Sequence, residues 1–366
     1  MTDTATPVAV AERPYRFAVG SRERFVGDYN DQTQAFGTTF QTVDIPAGDF
    51  TAGVYLRVDA VASGNSAAVA FNGDAPFNAL SEIQLQDPQG IPFQILSGYE
   101  LYIWNLFGGF TGQSDAAQSP YYVATTGSGG TGGTFAFVLR IPCELFPRDG
   151  IGALYNGSTA SQFKVKVTLA SSATVYSVAP TVVPSVRVRM TSHGYQLAQQ
   201  LPSGHAFETE PPGGPIYNNL TRQVFQFSGS GNLTVPIVRK GFLYREMLFI
   251  VRDGSGVRSN TIISNMVLRV DNVDHWNGDF AMFRQVTWER NRVTAGSLLP
   301  AGVAQQSWAH DWDGLTGGET RDQYVPTTPG SIAELRLVAT AAGSLTILVN
   351  DVTPTQKAIA AGIVKV

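Results

Sequence analysis

The run Phe163-Lys164-Val165-Lys166-Val167-Thr168-Leu169, "FKVKVTL", alternates apolar and polar residues without a break. In an extended chain successive side chains point to opposite faces, so Phe163, Val165, Val167 and Leu169 share one side and Lys164, Lys166 and Thr168 the other. That period predicts a strand with one dry face and one wet face. "SVRVRM" at 185–190 follows the same rule with Val186, Val188 and Met190 against Arg187 and Arg189, and "ELRLV" at 334–338 does so again. Strands of this kind pair into sheets that stack dry face to dry face, which predicts an all-β chain of sandwich type.

Working outward, the same landmarks come twice in the same order. A strand ends at Ile45-Pro46 and again at Val235-Pro236, each followed by a loop and a second strand, "GVYLRVDAVA" or "FLYREMLFIV". A later strand ends in an aspartate, "EIQLQD" at Asp87 or "MVLRVD" at Asp271. An Asp-Gly turn follows, "RDGIG" at Asp149 or "WDGLTGG" at Asp313. Last comes "FKVKVTLASSATVYSV" at 163–178 or "ELRLVATAAGSLTILV" at 334–349, each expected to fold as a hairpin over a small-residue turn. The echo of "LRVDAV" at 56–61 by "LRVDNV" at 268–273 falls outside this series and is read as accidental.

Two segments read as helix. In "LSGYELYIWNLFGGF" Ser97 and Glu100 have capping-box spacing, with Tyr99, Tyr102, Ile103, Leu106 and Phe110 on one face, which predicts a helix over 98–107. In "NGDFAMFRQVTWERN" Asp279 can serve as N-cap, placing Phe280, Phe283 and Thr287 on one side. Each lies about ten residues beyond one of the strand-ending aspartates. The chain is therefore expected to hold two tandem domains of about eight strands, each with a short inserted helix. The expected division is an N-terminal arm 1–35, a first domain 36–192, a Pro- and Gly-rich linker 193–221, a second domain 222–353 and a tail 354–366.

With 366 residues the chain can bury a large core, and its 15% charged content is low for a globular protein. A net charge of -4 gives the bulk of the chain no electrostatic reason to condense on nucleic acid or an anionic membrane. Cys143 is the only cysteine, so no intrachain disulfide can form, and beside the apolar "RIPCEL" strand it reads as a buried, inert thiol. "MTDTATPVAVAERP" lacks a basic start and an apolar core of signal-peptide length, and no window reaches the length of a membrane span. Synthesis and folding in a cytoplasm are expected.

The densest cluster of chemistry-bearing residues is "AHDWDG" at 309–314, where His310, Asp311 and Asp313 could hold a divalent cation given further ligands. Its counterpart "RDGIG" fills the same slot without histidine, so a turn is the simpler reading. His193, His205 and His275 are scattered. "TSHGY" and "PSGHA" bring Ser near His without the third member of a triad. Glu82, Asp87, Asp271, Asp274 and Asp279 could supply paired glycosidase carboxylates, yet each also suits a strand end, turn or cap. "GSGGTGG" at 127–133 precedes a strand and lacks the Lys-Ser/Thr of a phosphate cradle, so it reads as a mobile loop. No catalytic residue, metal site or cofactor is expected. Arg13, Arg16, Arg22 and Arg24 interleave with Tyr15, Phe17 and Phe25, forming an arm that could reach a neighbouring subunit, lipid headgroups or nucleic acid.

This duplicated plan resembles the double jelly-roll major capsid proteins of tectivirus-like bacteriophages and their relatives, over about Phe36 to Thr353. Its carriers are "IQLQDPQGIPFQILSGYELYIWNLF", "LRIPCELFPRDGIGALYNGSTASQFKVKVTL" and "AELRLVATAAGSLTILVND". The resemblance implies a non-enzymatic coat protein, made in the host cytoplasm and located in the virion. It implies homotrimers with six jelly rolls in pseudo-hexagonal outline, tiling an icosahedral shell with neighbouring trimers and with minor capsid, vertex or membrane proteins. It places loops such as 111–134 outward, and the arm with Arg13, Arg16, Arg22 and Arg24 at the inner face near an internal membrane, with no sequence-specific nucleic-acid contact. A carbohydrate-binding or carbohydrate-active double β-sandwich is the alternative, since a fold does not fix a function.

Overall fold

The computed structural model describes residues 17–110, 115–128, 130–147, 150–197, 208–211, 216–291, 299–309 and 324–353. Its first half is built from β1 (Ser21–Gln34), β2 (Val43–Asp44), β3 (Gly48–Ala60), β4 (Leu80–Gln86), β5 (Pro92–Leu96), helix α1 (Gly98–Phe107), β6 (Phe135–Pro142), β7 (Lys164–Leu169) and β8 (Val186–Leu197). Its second half contains β9 (Tyr217–Phe227), β10 (Gly231–Pro236), β11 (Leu243–Asp253), β12 (Ile263–Val270), β13 (Val273–Asp279), helix α2 (Phe280–Arg290), β14 (Val303–Ser307), β15 (Ala333–Ala339) and β16 (Gly343–Thr353).

Roll one stacks a sheet of order β1-β8-β3-β6 on one of order β2-β7-β4-β5, every neighbour antiparallel. Roll two stacks β9-β16-β11-β14 on β10-β15-β12-β13, again antiparallel throughout. Each strand of the second roll stands where the strand eight places earlier stands in the first. The connectivity is that of a jelly roll, present twice. The alternation that opened the sequence reading holds: Val165, Val167 and Leu169 lie in the first core, and Leu335 and Leu337 in the second. The two "LRVD" echoes fall on non-equivalent strands, β3 and β12.

Both helices form where their caps place them. Ser97 and Glu100 make a reciprocal capping box, and Asp279 accepts from the backbone N–H groups of Ala281 and Met282. Gly98 opens α1 because a Cβ there would collide with the carbonyl of Phe77 and with Leu80. The helix is buried nearly all round rather than on one face. Eight residues after each N-cap a buried polar side chain fastens the helix to a strand. Asn105 donates to the carbonyl of Arg140 and accepts from its N–H, both at 2.7 Å. Thr287 does the same to Gln305, donating at 3.3 Å and accepting at 2.9 Å. These staples are equivalent in the two rolls, although their residue types differ.

Several expectations are corrected. The stretches 163–178 and 334–349 are not hairpins: β15 and β16 lie in opposite sheets, as do β7 and β8, and 176–178 pairs with Ala70–Phe71 instead. Alternation marks which face is dry and is silent on which strand lies alongside. Within the expected arm, Ser21–Gln34 is a strand of roll one, paired along β8 with an irregularity between Val26 and Asn30. As an edge strand exposed over much of its length it has no apolar period to betray it. The expected linker is trimmed at both ends, because 193–197 belong to β8 and 217–221 to β9. The glycine-rich run is fastened rather than free. Gly127 exchanges two backbone bonds with Val69, Asn65 donates to the carbonyl of Gly132 at 2.8 Å, and Tyr176 donates to that of Gly133 at 2.7 Å.

Replacing Asn105 by Leu leaves two backbone groups of the buried Arg140 without partners and is expected to destabilise the protein by about 2–4 kcal/mol. Thr287→Val is expected to lose about 1–3 kcal/mol for the same reason. Denaturant unfolding of both variants against the parent measures these losses.

Candidate functional site

The place where the two rolls meet is built from strand edges upward. β5 closes one sheet of roll one, β9 opens one sheet of roll two, and they pair in parallel with Gln94 opposite Leu220. One sheet therefore runs through both rolls in the order β2-β7-β4-β5-β9-β16-β11-β14. Because roll two presses the outer side of this sheet against roll one, β11 and β16 are buried on both faces over nearly their whole length. Phe249, Val251, Leu345 and Ile347 fill the second core, while Leu220, Leu248, Ile250, Val303 and Leu348 join the first. Burial of those last five contributes roughly 10 kcal/mol gross at about 2 kcal/mol each.

Backbone and amide groups trapped at the junction satisfy one another. Gln94 donates to the carbonyls of Pro142 at 2.7 Å and Asn218 at 2.8 Å. Asn218 donates to the carbonyl of Glu144 at 2.9 Å, and Asn350 donates to the Asn218 side chain at 2.6 Å. Arg245 donates to Asn350 at 3.1 Å and pairs with the adjacent Glu246 at 2.9 Å, both nearly inaccessible to solvent. Asp351 accepts from Asn219 and, at 2.8 Å, from Arg239, yet burial outweighs these partners and raises its carboxyl above the ordinary value. At one end of the junction Asp74 of roll one accepts from both Arg252 and Arg258 of roll two, the latter at 2.6 Å. Those two guanidinium groups also lie over the Tyr99 ring of α1, and Arg222 approaches Glu100 at 3.6 Å.

The outer face of β1-β8-β3-β6 carries most of the remaining chemistry. His193 sits between Glu23, 3.2 Å from its Nε2, and Arg140, 3.1 Å from its Nδ1. Arg140 pairs in turn with the buried Glu144 at 3.2 Å, and Tyr195 donates to Glu144 at 2.5 Å. A cleft of about 360 Å³ beside Tyr55, Phe110 and Asp115 is bordered by Arg140, whose guanidinium is held by these partners and by the Tyr55 and Phe110 rings. Further along the face Arg187 pairs with Asp31, Arg189 with Asp59 and Arg57 with Asp28. The Arg187 bond holds the Asp31 carboxyl below its ordinary value of 3.8.

Of the four arm arginines, Arg22 and Arg24 are exposed on β1, and Arg24 donates to the carbonyl of Ala47 at 3.2 Å. Arg13 and Arg16 lie outside the described residues. Phe17, where the described chain begins, is buried with Phe50 and Tyr195. His205, His310, Asp311 and Asp313 also lie outside, as does Asp149. His275 accepts from the Trp308 indole at 3.1 Å, and burial lowers its pKa. Among the candidate carboxylates, Asp87 caps a turn through the N–H of Ile91, Asp271 accepts from that of Ile332, Asp274 pairs with Arg269, and Asp279 caps α2. Glu82 accepts from Gln84 at 2.7 Å. The structure does not bring these five together. Burial pushes the Cys143 thiol up to about 12, so it stays protonated at neutral pH. Among the described residues no cluster of three His, Cys, Asp or Glu could hold a metal, and no helix is long and apolar enough to cross a membrane. Sequence reasoning missed Asp74, Asn218 and Asn350. Arg245-Glu246 inside the apolar run "FLYREMLFIV" was the signal that something polar is buried nearby.

Two eight-stranded jelly rolls joined through one sheet define the class, a double jelly roll. No family model matches the chain, and no curated protein does. Solved structures do, viral major capsid proteins among them. A structure of Sulfolobus Turreted Icosahedral Virus matches with TM-score 0.67 at 14% identity over 93% of each chain. The Vp54 protein of PBCV-1, fitted into a reconstruction of the virophage Sputnik, matches with TM-score 0.63 at 11% identity over 91% of this chain and 93% of its own. The major capsid protein P2 of bacteriophage PM2 matches with TM-score 0.55 at 9% identity over 92% and 98%. At such identities the agreement is one of fold.

Asp74→Ala strands two partly buried guanidinium groups, and a loss of about 2 kcal/mol is expected on denaturant unfolding, less than for a fully buried pair. Arg187→Gln is expected to return the Asp31 carboxyl toward 3.8, as read by carboxyl NMR titration. In the parent, a lowered folded value means that this pair's contribution is complete above 3.8 and is lost as pH falls through the lowered value.

Proposed function

We propose that this chain is the structural coat protein of an icosahedral virus, acting by self-assembly and without a catalytic step. The observation that carries the reading is the joined sheet. It makes two like-connected rolls a single body with two similar walls, and three such bodies around an axis present six similar sides, which suits a near-hexagonal lattice. The agreement in fold with viral major capsid proteins over nearly the whole chain supports the same role. So do a low charge content and flanks rather than a pocket as the chief exposed surfaces, since interface cores are depleted in charge.

The partners of this reading are two further copies in a trimer, neighbouring trimers, and minor, vertex or membrane proteins. On this reading the segment ahead of β1, with Arg13 and Arg16, reaches the inner face and an internal membrane, whereas Arg22 and Arg24 belong to β1, and the location is the virion. Tryptophan placement weighs against a sugar-binding role. Trp104 and Trp308 are buried and Trp276 stacks on Phe283, which leaves Trp288 without a second exposed indole among the described residues.

Light scattering of the purified chain is expected to give three times its 39.2 kDa mass or a larger assembly, with pseudo-hexagonal outlines in negative-stain micrographs. A species that stays monomeric at every concentration, or that binds or hydrolyses glycans, would overturn the reading.

A further inference from the structure

We propose that the flank of roll two formed by β13 and α2 receives the outer face of β1-β8-β3-β6 from a second copy of this chain. The relation is the one that β5 and α1 already have to β9-β16-β11-β14 within a single chain. This deepens the coat-protein reading, on which it rests, by naming the two surfaces that meet.

The duplicated fold supplies the argument, because equivalent positions can be found without reference to another protein. The helix staples put α1 and α2 in register: Asn105 and Thr287 stand eight residues after their caps and bind Arg140 and Gln305 respectively. In α1 the third residue after the cap is Glu100, buried and facing Arg222 of the following roll. In α2 the same position is Met282, which is 55% exposed, and Trp288 further along is 45% exposed. A methionine and a tryptophan thus stand bare on the flank of roll two where the matching flank of roll one is covered.

The complementary surface shows the same mismatch. Seven residues along β16 from the start of its ladder with β9 stands Asn350, whose partner Leu220 is fully buried at the junction. The same count along β8 reaches His193, whose partner across the ladder is Phe25, 56% exposed and stacked on the His193 ring. Each chain therefore holds one completed junction and the two unlike halves of another. Unlike halves cannot satisfy each other in a two-fold pair. They join head to tail and leave nothing uncovered only when the ring closes, which is the heterologous, cyclic case. The face of roll one carries the exposed ion pairs of Asp28 with Arg57 and Asp31 with Arg187, so the junction between copies is more polar than the one inside the chain.

The test uses the full chain and single introduced cysteines, Cys143 being buried. Arg222 pairs with Leu348, five residues along β16, and the residue meeting Thr191 at that count along β8 is Asp28. Asp28→Cys and Met282→Cys chains, co-expressed and treated with a bis-maleimide, are expected to give a two-chain covalent band that neither variant gives alone. A band from either variant alone, or none from the mixture while the chain still runs at three times its mass, overturns the proposed surfaces and leaves the coat reading standing. A chain that never exceeds its own mass removes both. The double variant Met282→Glu with Trp288→Glu, both exposed, is expected to keep the far-ultraviolet circular dichroism of the parent and shift from three-chain to one-chain mass; retention of the larger mass overturns the proposal.

Discussion

The parallel pairing of β5 with β9 is the constraint on which the other features rest. An uncovered sheet edge presents unpaired N–H and C=O groups and invites association with whatever chain is near. Here two such edges, one from each roll, meet, and the sheet of roll two that continues from the pair is pressed between two cores. β11 and β16 are buried on both sides for this reason, a pattern ordinarily met in sheets covered on both faces. Roll one has no complete core without roll two, because Leu220, Leu248, Ile250, Val303 and Leu348 belong to the first core although roll two carries them.

Polar groups then fix how the two rolls sit. Apolar contact alone would tolerate sliding of one sheet against the next, whereas Gln94, Asn218 and Asn350 satisfy one another and nearby carbonyls in one register. A slip of one residue would leave several of them buried and unpaired, at about 1–3 kcal/mol each. Asp74 acts in the same sense from the rim, with two arginines from the other roll converging on one carboxylate. Asp351 shows the opposing tendency: burial disfavours its charge even with Arg239 beside it, so this part of the network favours geometry more than stability.

How far the sequence discloses this can be traced residue by residue. Strand faces were legible in Val165, Val167, Leu335 and Leu337, because alternation reports burial directly. Ser97, Glu100 and Asp279 announced both helices, since capping is local chemistry. The order of landmarks carried the duplication. What alternation does not encode is which strand lies beside which, so the jump of β15 to β16 across the sandwich was misread as a hairpin. β1 was missed because its pairing is made by backbone groups, with few buried side chains to mark it. The junction was hidden for a different reason: Gln94 and Asn218 are ordinary polar residues until two distant strands are brought together.

The equivalent positions of Asn105 and Thr287 have a bearing on history as well as on packing. Two different side chains perform one task at one place, fastening a helix to the backbone of the strand it covers. If the halves descend from a single ancestral gene, what was kept at this position is the hydrogen-bonding geometry and not the amino acid. A comparison of the halves letter by letter passes over such a position, and one that tracks donors and acceptors finds it.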